Sequence, residues 1–120
     1  MKNNISGKLA ELIARILFRL KGYRILETNY ITGKGTKAGE IDFIAQKFST
    51  LVFVEVKKRK DIETALYAIK DSQQKRIMRA AENFIAKHKK YASYDVRFDA
   101  VLISFPLTIK HIENAFNLDY

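Results

Sequence analysis

A chain of 120 residues with 48% apolar content suits one domain, 1–120, built around one core, and leaves no room for a second. Its 22 Lys and Arg against 13 Asp and Glu give a formal charge of +9, a surface that favours a polyanion: nucleic acid first, with an acidic protein or lipid headgroups as the other anionic partners. The absence of cysteine removes disulfides and thiolate metal sites, and His88 and His111, far apart, argue against a zinc-type site.

In chain order, the apolar spacing predicts a helix over Ile5–Lys21, with Leu9, Leu12, Ile13, Ile16, Leu17 and Leu20 on one stripe and Ala10, Ala14 and Phe18 widening it. Ser6 or Asn4 caps its start and Gly22 ends it. Glu11 falls on the border between the apolar arc and the basic strip of Lys8, Arg15 and Arg19, where the plain reading is an i,i+4 pair with Arg15. Tyr23–Tyr30 reads as a first strand. Ile31–Ala38, with Gly33, Gly35 and two lysines, reads as a mobile basic loop without the spacing of a nucleotide-binding P-loop.

Gly39–Lys57 is the stretch the rest of the chain has to serve: two strands, Glu40–Ala45 and Leu51–Lys57, joined by a short polar turn. Alternation puts Ile41, Phe43, Val52, Val54 and Val56 on one face and Asp42, Glu55 and Lys57 on the other. Two carboxylates side by side are costly unless something uses them. Mg²⁺ takes oxygen ligands, commonly from one or two carboxylates, and Lys57 is within reach of a bound water or a phosphate oxygen. By spacing alone the same residues also read as an ordinary polar strand face.

Lys58, Arg59 and Lys60 continue the cationic run beside that pair, where a phosphate backbone needs countercharge. Ile62–Ile69 is short and weakly helical. Asp71 with Gln74 makes a capping box for a helix from Ser72 to about Lys90, with Ile77, Ala80, Ala81, Phe84 and Ile85 as core stripe. Gln73 lies one turn ahead of Ile77 and points a polar group at the sheet. Lys75, Arg76 and Arg79, with Lys87, Lys89 and Lys90, make this the most basic element, either a backbone-contacting face or simple solubility. Tyr94–Ser104 reads as a strand buried on much of both faces, stopped by Pro106; Thr108–Ile112 is a short edge strand, and the tail from Glu113 has Phe116 as an anchor. The longest apolar runs are far below the ~18 residues of a span and nothing resembles a signal peptide, so a cytoplasmic protein with no membrane partner is expected.

Taken together, Glu11 in a first helix, Gly22-Tyr23, Asn29-Tyr30, GEID at Gly39–Asp42, VFVEVK followed by Arg59, Arg79–Ala81, RFD at Arg97–Asp99 and Asn114–Phe116 resemble the YraN-like family over nearly the whole chain. Its members are small bacterial proteins that resemble archaeal Holliday-junction resolvases of the PD-(D/E)XK nuclease superfamily. The resemblance implies an α/β restriction-endonuclease-like core, a mixed central sheet flanked by helices. It implies metal roles for Asp42 and Glu55, a catalytic role for Lys57, and for Glu11 completion of the metal site. Gln73 matches a position where related proteins often have Lys or Gln. Two departures are Ala10, where the family usually has Gly, and Gln73, where many members have Lys.

The expectation is therefore a Mg²⁺- or Mn²⁺-dependent endonuclease hydrolysing phosphodiester bonds in DNA. Branched DNA and a C2 homodimer are implied by analogy alone. The alternatives are a nucleic-acid-binding module that keeps the fold without cleaving and a basic protein-interaction domain.

Overall fold

The computed structural model describes residues 6–33, 39–60, 69–104 and 107–116. The first helix, α1 (Gly7–Leu20), starts where the Ser6 hydroxyl accepts the Leu9 N–H at 3.1 Å. It stops because Gly22 takes φ 95°, a left-handed conformation that suits glycine, and lets the Gly22 and Tyr23 N–H groups bond back to the Arg19 and Phe18 carbonyls.

Strands β1 (Arg24–Thr32), β2 (Gly39–Lys47) and β3 (Thr50–Arg59) form an antiparallel meander. Helix α2 (Asp71–Lys87) and a 3₁₀ turn, Lys89–Tyr91, follow. β4 (Asp95–Ser104) lies parallel to β3 and β5 (Thr108–Phe116) antiparallel to β4, so the five-stranded sheet has the order β1-β2-β3-β4-β5. A parallel neighbour needs a crossover, and α2 belongs to it.

Alternation along the strands feeds two cores. Phe43, Ala45, Val52, Val54, Val101 and Ile103 meet Ala10, Ala14 and Phe18 of α1, while Ile44, Leu51, Phe53 and Phe98 meet Ile77, Ala80, Ala81 and Phe84 of α2. β4 is buried on both faces from Phe98 to Ser104, as its sequence predicts.

Several expectations need correction. Helix α1 turns its alanines and Phe18, not its large aliphatics, fully into the core: Ala10, Ala14 and Phe18 are buried, Ile13 and Leu17 pack partly, and Leu9, Leu12, Ile16 and Leu20 are exposed. Small residues let the helix sit close to the sheet, and Phe18 then fills the space beside Tyr23, Phe43 and His111. Ile41 packs in the α2 core with Ile77 rather than beside Phe43. Asp71 is not a cap: Lys70 holds the N-cap position with no side-chain bond, and Gln74 reaches the Ile69 carbonyl at 3.3 Å. β1 runs on to Thr32, and β5 runs to Phe116, whose ring stacks on Phe98 with centroids 5.1 Å apart. Most of the predicted Ile31–Ala38 loop and of the Ile62–Ile69 helix lies outside the described residues.

Candidate metal and phosphate cleft

The site begins with a parting of strands. The β2–β3 ladder ends at Phe43 opposite Val54, yet β2 stays paired with β1 to Gly39 opposite Thr32, and β3 stays paired with β4 to Arg59 opposite Ser104. Backbone groups facing the gap lose their ladder partners, and a side chain has to replace them. Asp42 does so: its Oδ2 accepts the Val56 N–H at 2.7 Å. Asp42 is thus aimed across the gap at β3, toward Glu55. Ile41 leaves the α1 face where this divergence begins.

Around the gap lie Glu11 from α1, Glu40 and Asp42 from β2, Glu55, Val56 and Lys57 from β3, and Gln73, Arg76 and Ile77 from α2, enclosing about 160 Å³. Asp42 and Glu55 share a side-chain hydrogen bond. Lys57 Nζ lies 3.6 Å from Glu55 Oε2, both side chains largely shielded from water. Burial, the hydrogen bond to Asp42 and the Asp42 charge push the Glu55 carboxyl up to about 9, with Lys57 pulling it back only in part. Loss of hydration raises the Glu11 carboxyl as well, helped by Asp42 and Glu40 and opposed by Arg15. Carboxylates crowded this way hold a proton until a cation replaces it.

Gly39 explains why α2 reaches the cleft. A Cβ at this position would stand 2.7 Å from Thr32 Oγ1, 2.8 Å from the Ala80 nitrogen and 2.9 Å from the Arg76 carbonyl, so only glycine lets β2 touch the helix backbone. That contact sets Gln73 and Arg76 over the gap. Arg76 Nη2 pairs there with Glu40 Oε2 at 3.3 Å.

The structure therefore brings Glu11, Asp42, Glu55, Lys57 and Gln73 around one cleft. Of the residues expected at a phosphate backbone, Arg76 lies at the cleft, whereas Lys75 and Arg79 line a shallow depression on α2 with Met78 and Glu82. Lys58 is half-buried, and Arg59 and Lys60 are exposed at the end of β3. Sequence reasoning missed Glu40. It stands two residues before Asp42, and strand alternation is the signal that could have found it.

The donor set is all oxygen and suits a hard divalent ion, with Asp42 and Glu55 in contact and Glu11 across the cleft. Among the described residues no group of three or more His, Cys, Asp or Glu side chains is already disposed to hold a metal. The fit is thus to an ion taking one or two carboxylates and completing its shell with water and phosphate, as Mg²⁺ does.

A second polar cluster was also missed. Asp99, fully buried on the α1 side of the sheet, accepts from Arg97 Nε and Nη2, both at 2.8 Å, from His111 Nε2 at 2.7 Å and from the Asn114 N–H at 3.0 Å. Arg97 also donates to the Tyr23 hydroxyl, and Lys21 Nζ lies 2.8 Å from His111 Nδ1. An ammonium only donates, so Nδ1 accepts and Nε2 carries the proton given to Asp99. Burial would raise the Asp99 carboxyl, but the bonds from His111, Arg97 and Asn114 together hold it below the usual aspartate range. This cluster ties the end of α1 to β4 and β5.

A five-stranded mixed sheet with a helix on each face makes this an α/β protein. Residues 10–103 match the family described as Uncharacterised protein family UPF0102, and the chain belongs to that family, the YraN-like proteins. It is 41% identical over 113 residues to UPF0102 protein amb4503 of Paramagnetospirillum magneticum, covering 94% of this chain and 88% of the relative. With UPF0102 protein RPA0323 of Rhodopseudomonas palustris it is 38% identical over 112 residues, 93% of this chain and 83% of the relative. With UPF0102 protein bll0669 of Bradyrhizobium diazoefficiens it is 39% identical over 112 residues, 93% and 81% of the two chains.

Proposed function

We propose that the protein is a metal-dependent endonuclease with a PD-(D/E)XK core, hydrolysing phosphodiester bonds in DNA. The observation that carries this reading is the contact between Asp42 and Glu55 at the point where β2 and β3 part, with Lys57 beside Glu55. Asp42 and Glu55 would hold Mg²⁺ or Mn²⁺, with Glu11 across the cleft. When bound, the ion supplies Lewis-acid stabilisation of charge on phosphate oxygens.

Lys57 orients and polarises the attacking water and offsets charge developing on the phosphoryl group. Gln73 and Arg76 reach over the cleft from α2, and Gln73 has no charge to repel an incoming anion. Lys58, Arg59, Lys60, Lys75 and Arg79 hold the flanking phosphates, a sequence-independent contact suited to DNA recognised by shape. Branched DNA, a C2 homodimer and a cytoplasmic location belong to the same proposal. For the described residues, no helix is long and apolar enough to cross a membrane.

A second reading, nucleic-acid binding without cleavage, draws on the bond from the Val56 N–H to Asp42, which gives that carboxylate a structural task of its own. Cleavage of linear, flapped and four-way DNA with Mg²⁺ or Mn²⁺ separates the two. The nuclease reading expects cutting by the parent chain and none by Asp42→Asn, Glu55→Gln or Lys57→Ala, with binding largely kept. Binding without cutting by the parent would leave the second reading.

A further inference from the structure

Helix α1 is apolar on two sides. At about 100° per residue its apolar positions sweep from Leu12 round to Phe18 through about 240°, leaving roughly a third of the circumference to Glu11, Arg15, Lys8 and Arg19. An apolar arc so wide belongs to a helix covered on both sides, and the sheet covers only one. On the outer side Leu9, Leu12, Ile16 and Leu20 are 46%, 41%, 45% and 82% exposed.

A separate feature lies at the same end of the molecule as Leu20. Phe48 is 87% exposed at the β2–β3 turn and is held at φ 52°, in the left-handed region that an aromatic residue rarely adopts. Lys47 bonds from its Nζ to the Lys21 carbonyl at 2.7 Å, which fastens this turn to the end of α1. Cations border the apolar surface: Lys8, Arg15 and Arg19 run along the Leu12 edge, and Lys21 and Lys47 stand at the Leu20 and Phe48 end.

An aliphatic ridge with a cationic border fits a surface that is apolar in depth and anionic at its rim. Protein interfaces concentrate their energy in buried Trp, Tyr and Arg anchors, which the Leu and Ile ridge lacks. A second copy packed antiparallel about a two-fold axis would set the two rows of Lys8, Arg15 and Arg19 side by side, like charge on like. Acyl chains ask only for apolar area, and anionic headgroups supply the countercharge.

We propose that α1 and the Phe48 turn form a peripheral docking surface for an anionic lipid bilayer. Leu9, Leu12, Ile16, Leu20 and Phe48 sink below the headgroups while Lys8, Arg15 and Arg19 meet lipid phosphates. The sequence expectation of no membrane partner rested on the lack of a spanning segment, which a peripheral surface does not need. Glu11 lies on the edge of α1 away from the ridge, so the cleft, together with α2 on the other face of the sheet, stays in water. The proposal stands independently of the nuclease reading.

The test is flotation of the full chain with vesicles of phosphatidylcholine alone or mixed with phosphatidylglycerol. Binding is expected to the mixed vesicles and not to the neutral ones, weakening as salt rises. Ile16→Glu and, more mildly, Ile16→Ser and Phe48→Ser should weaken it, the first by about tenfold or more, with the thermal melt unchanged because the side chains are exposed. Lys75→Gln on α2 should leave it as it was. Failure to float with the mixed vesicles, or equal binding by parent and Ile16→Glu, overturns the proposal. So does a solution dimer that Ile16→Glu dissociates, which would assign the ridge to a second copy.

Discussion

Asp42 serves two masters: one oxygen caps the Val56 N–H while the carboxylate also meets Glu55. An ion entering between them must displace the proton that Glu55 keeps up to about 9. Divalent-ion binding near neutral pH should therefore release a proton, with affinity rising as pH rises toward 9; calorimetry in two buffers of different ionisation heat reads that proton directly. The ion-free protein carries the opposite signature. Its unfolded chain gives up the Glu55 proton near the ordinary glutamate value and the folded chain does not, so this carboxyl makes the fold less stable as pH climbs through that interval.

Asp99 has the reverse sign. Held below the ordinary aspartate range, it contributes stability that is present above about pH 4 and lost as pH falls through its folded value. Asp99→Asn should destabilise by about 1–3 kcal/mol at neutral pH and flatten the acid limb of the stability curve. An unaltered acid limb, measured by urea unfolding from pH 3 to 7, would show that its hydrogen bonds are not the source.

Among the elements, β2 carries the most consequence. Gly39 touches α2 and Asp42 spans to β3, so one strand fixes both walls of the cleft. Gly39→Ala should push α2 away and destabilise by about 1–3 kcal/mol, and cleavage should fall more than the melting temperature alone would suggest, because Gln73 and Arg76 move with the helix. A crystal structure with α2 undisturbed would contradict this.

How much of this was legible in the sequence differs by element. The meander, the core stripe of α2 and the double burial of β4 follow from alternation and helical period, which are local. The facing of Asp42 and Glu55 was readable for the same reason. Which side of α1 meets the sheet was not, since its apolar arc is wider than one buried face and alanines could sit closest only once the sheet's shape was known. Arg76 looked like one more outward cation, because its pairing with Glu40 depends on how closely Gly39 admits the helix. The Asp99 cluster was hidden because only Arg97 neighbours Asp99 in the chain, while Tyr23, His111 and Asn114 join the cluster from other parts of the chain.

Over the whole molecule, a formal charge of +9 predicts DNA binding that weakens steeply with salt through counterion release. Replacing Lys75 and Arg79 together by Gln should lower the slope of log affinity against log salt by about 2 at most and leave cutting chemistry intact once DNA is bound, read by filter binding across a salt series. An unchanged slope would place the DNA on another face. In the proposed nuclease, the gap between β2 and β3 would hold one divalent ion through Asp42 and Glu55. Mn²⁺ binding followed by electron paramagnetic resonance on the full chain tests it most directly. The parent should take up one ion that Asp42→Asn and Glu55→Gln lose; no uptake, or the same uptake by both variants, would contradict it.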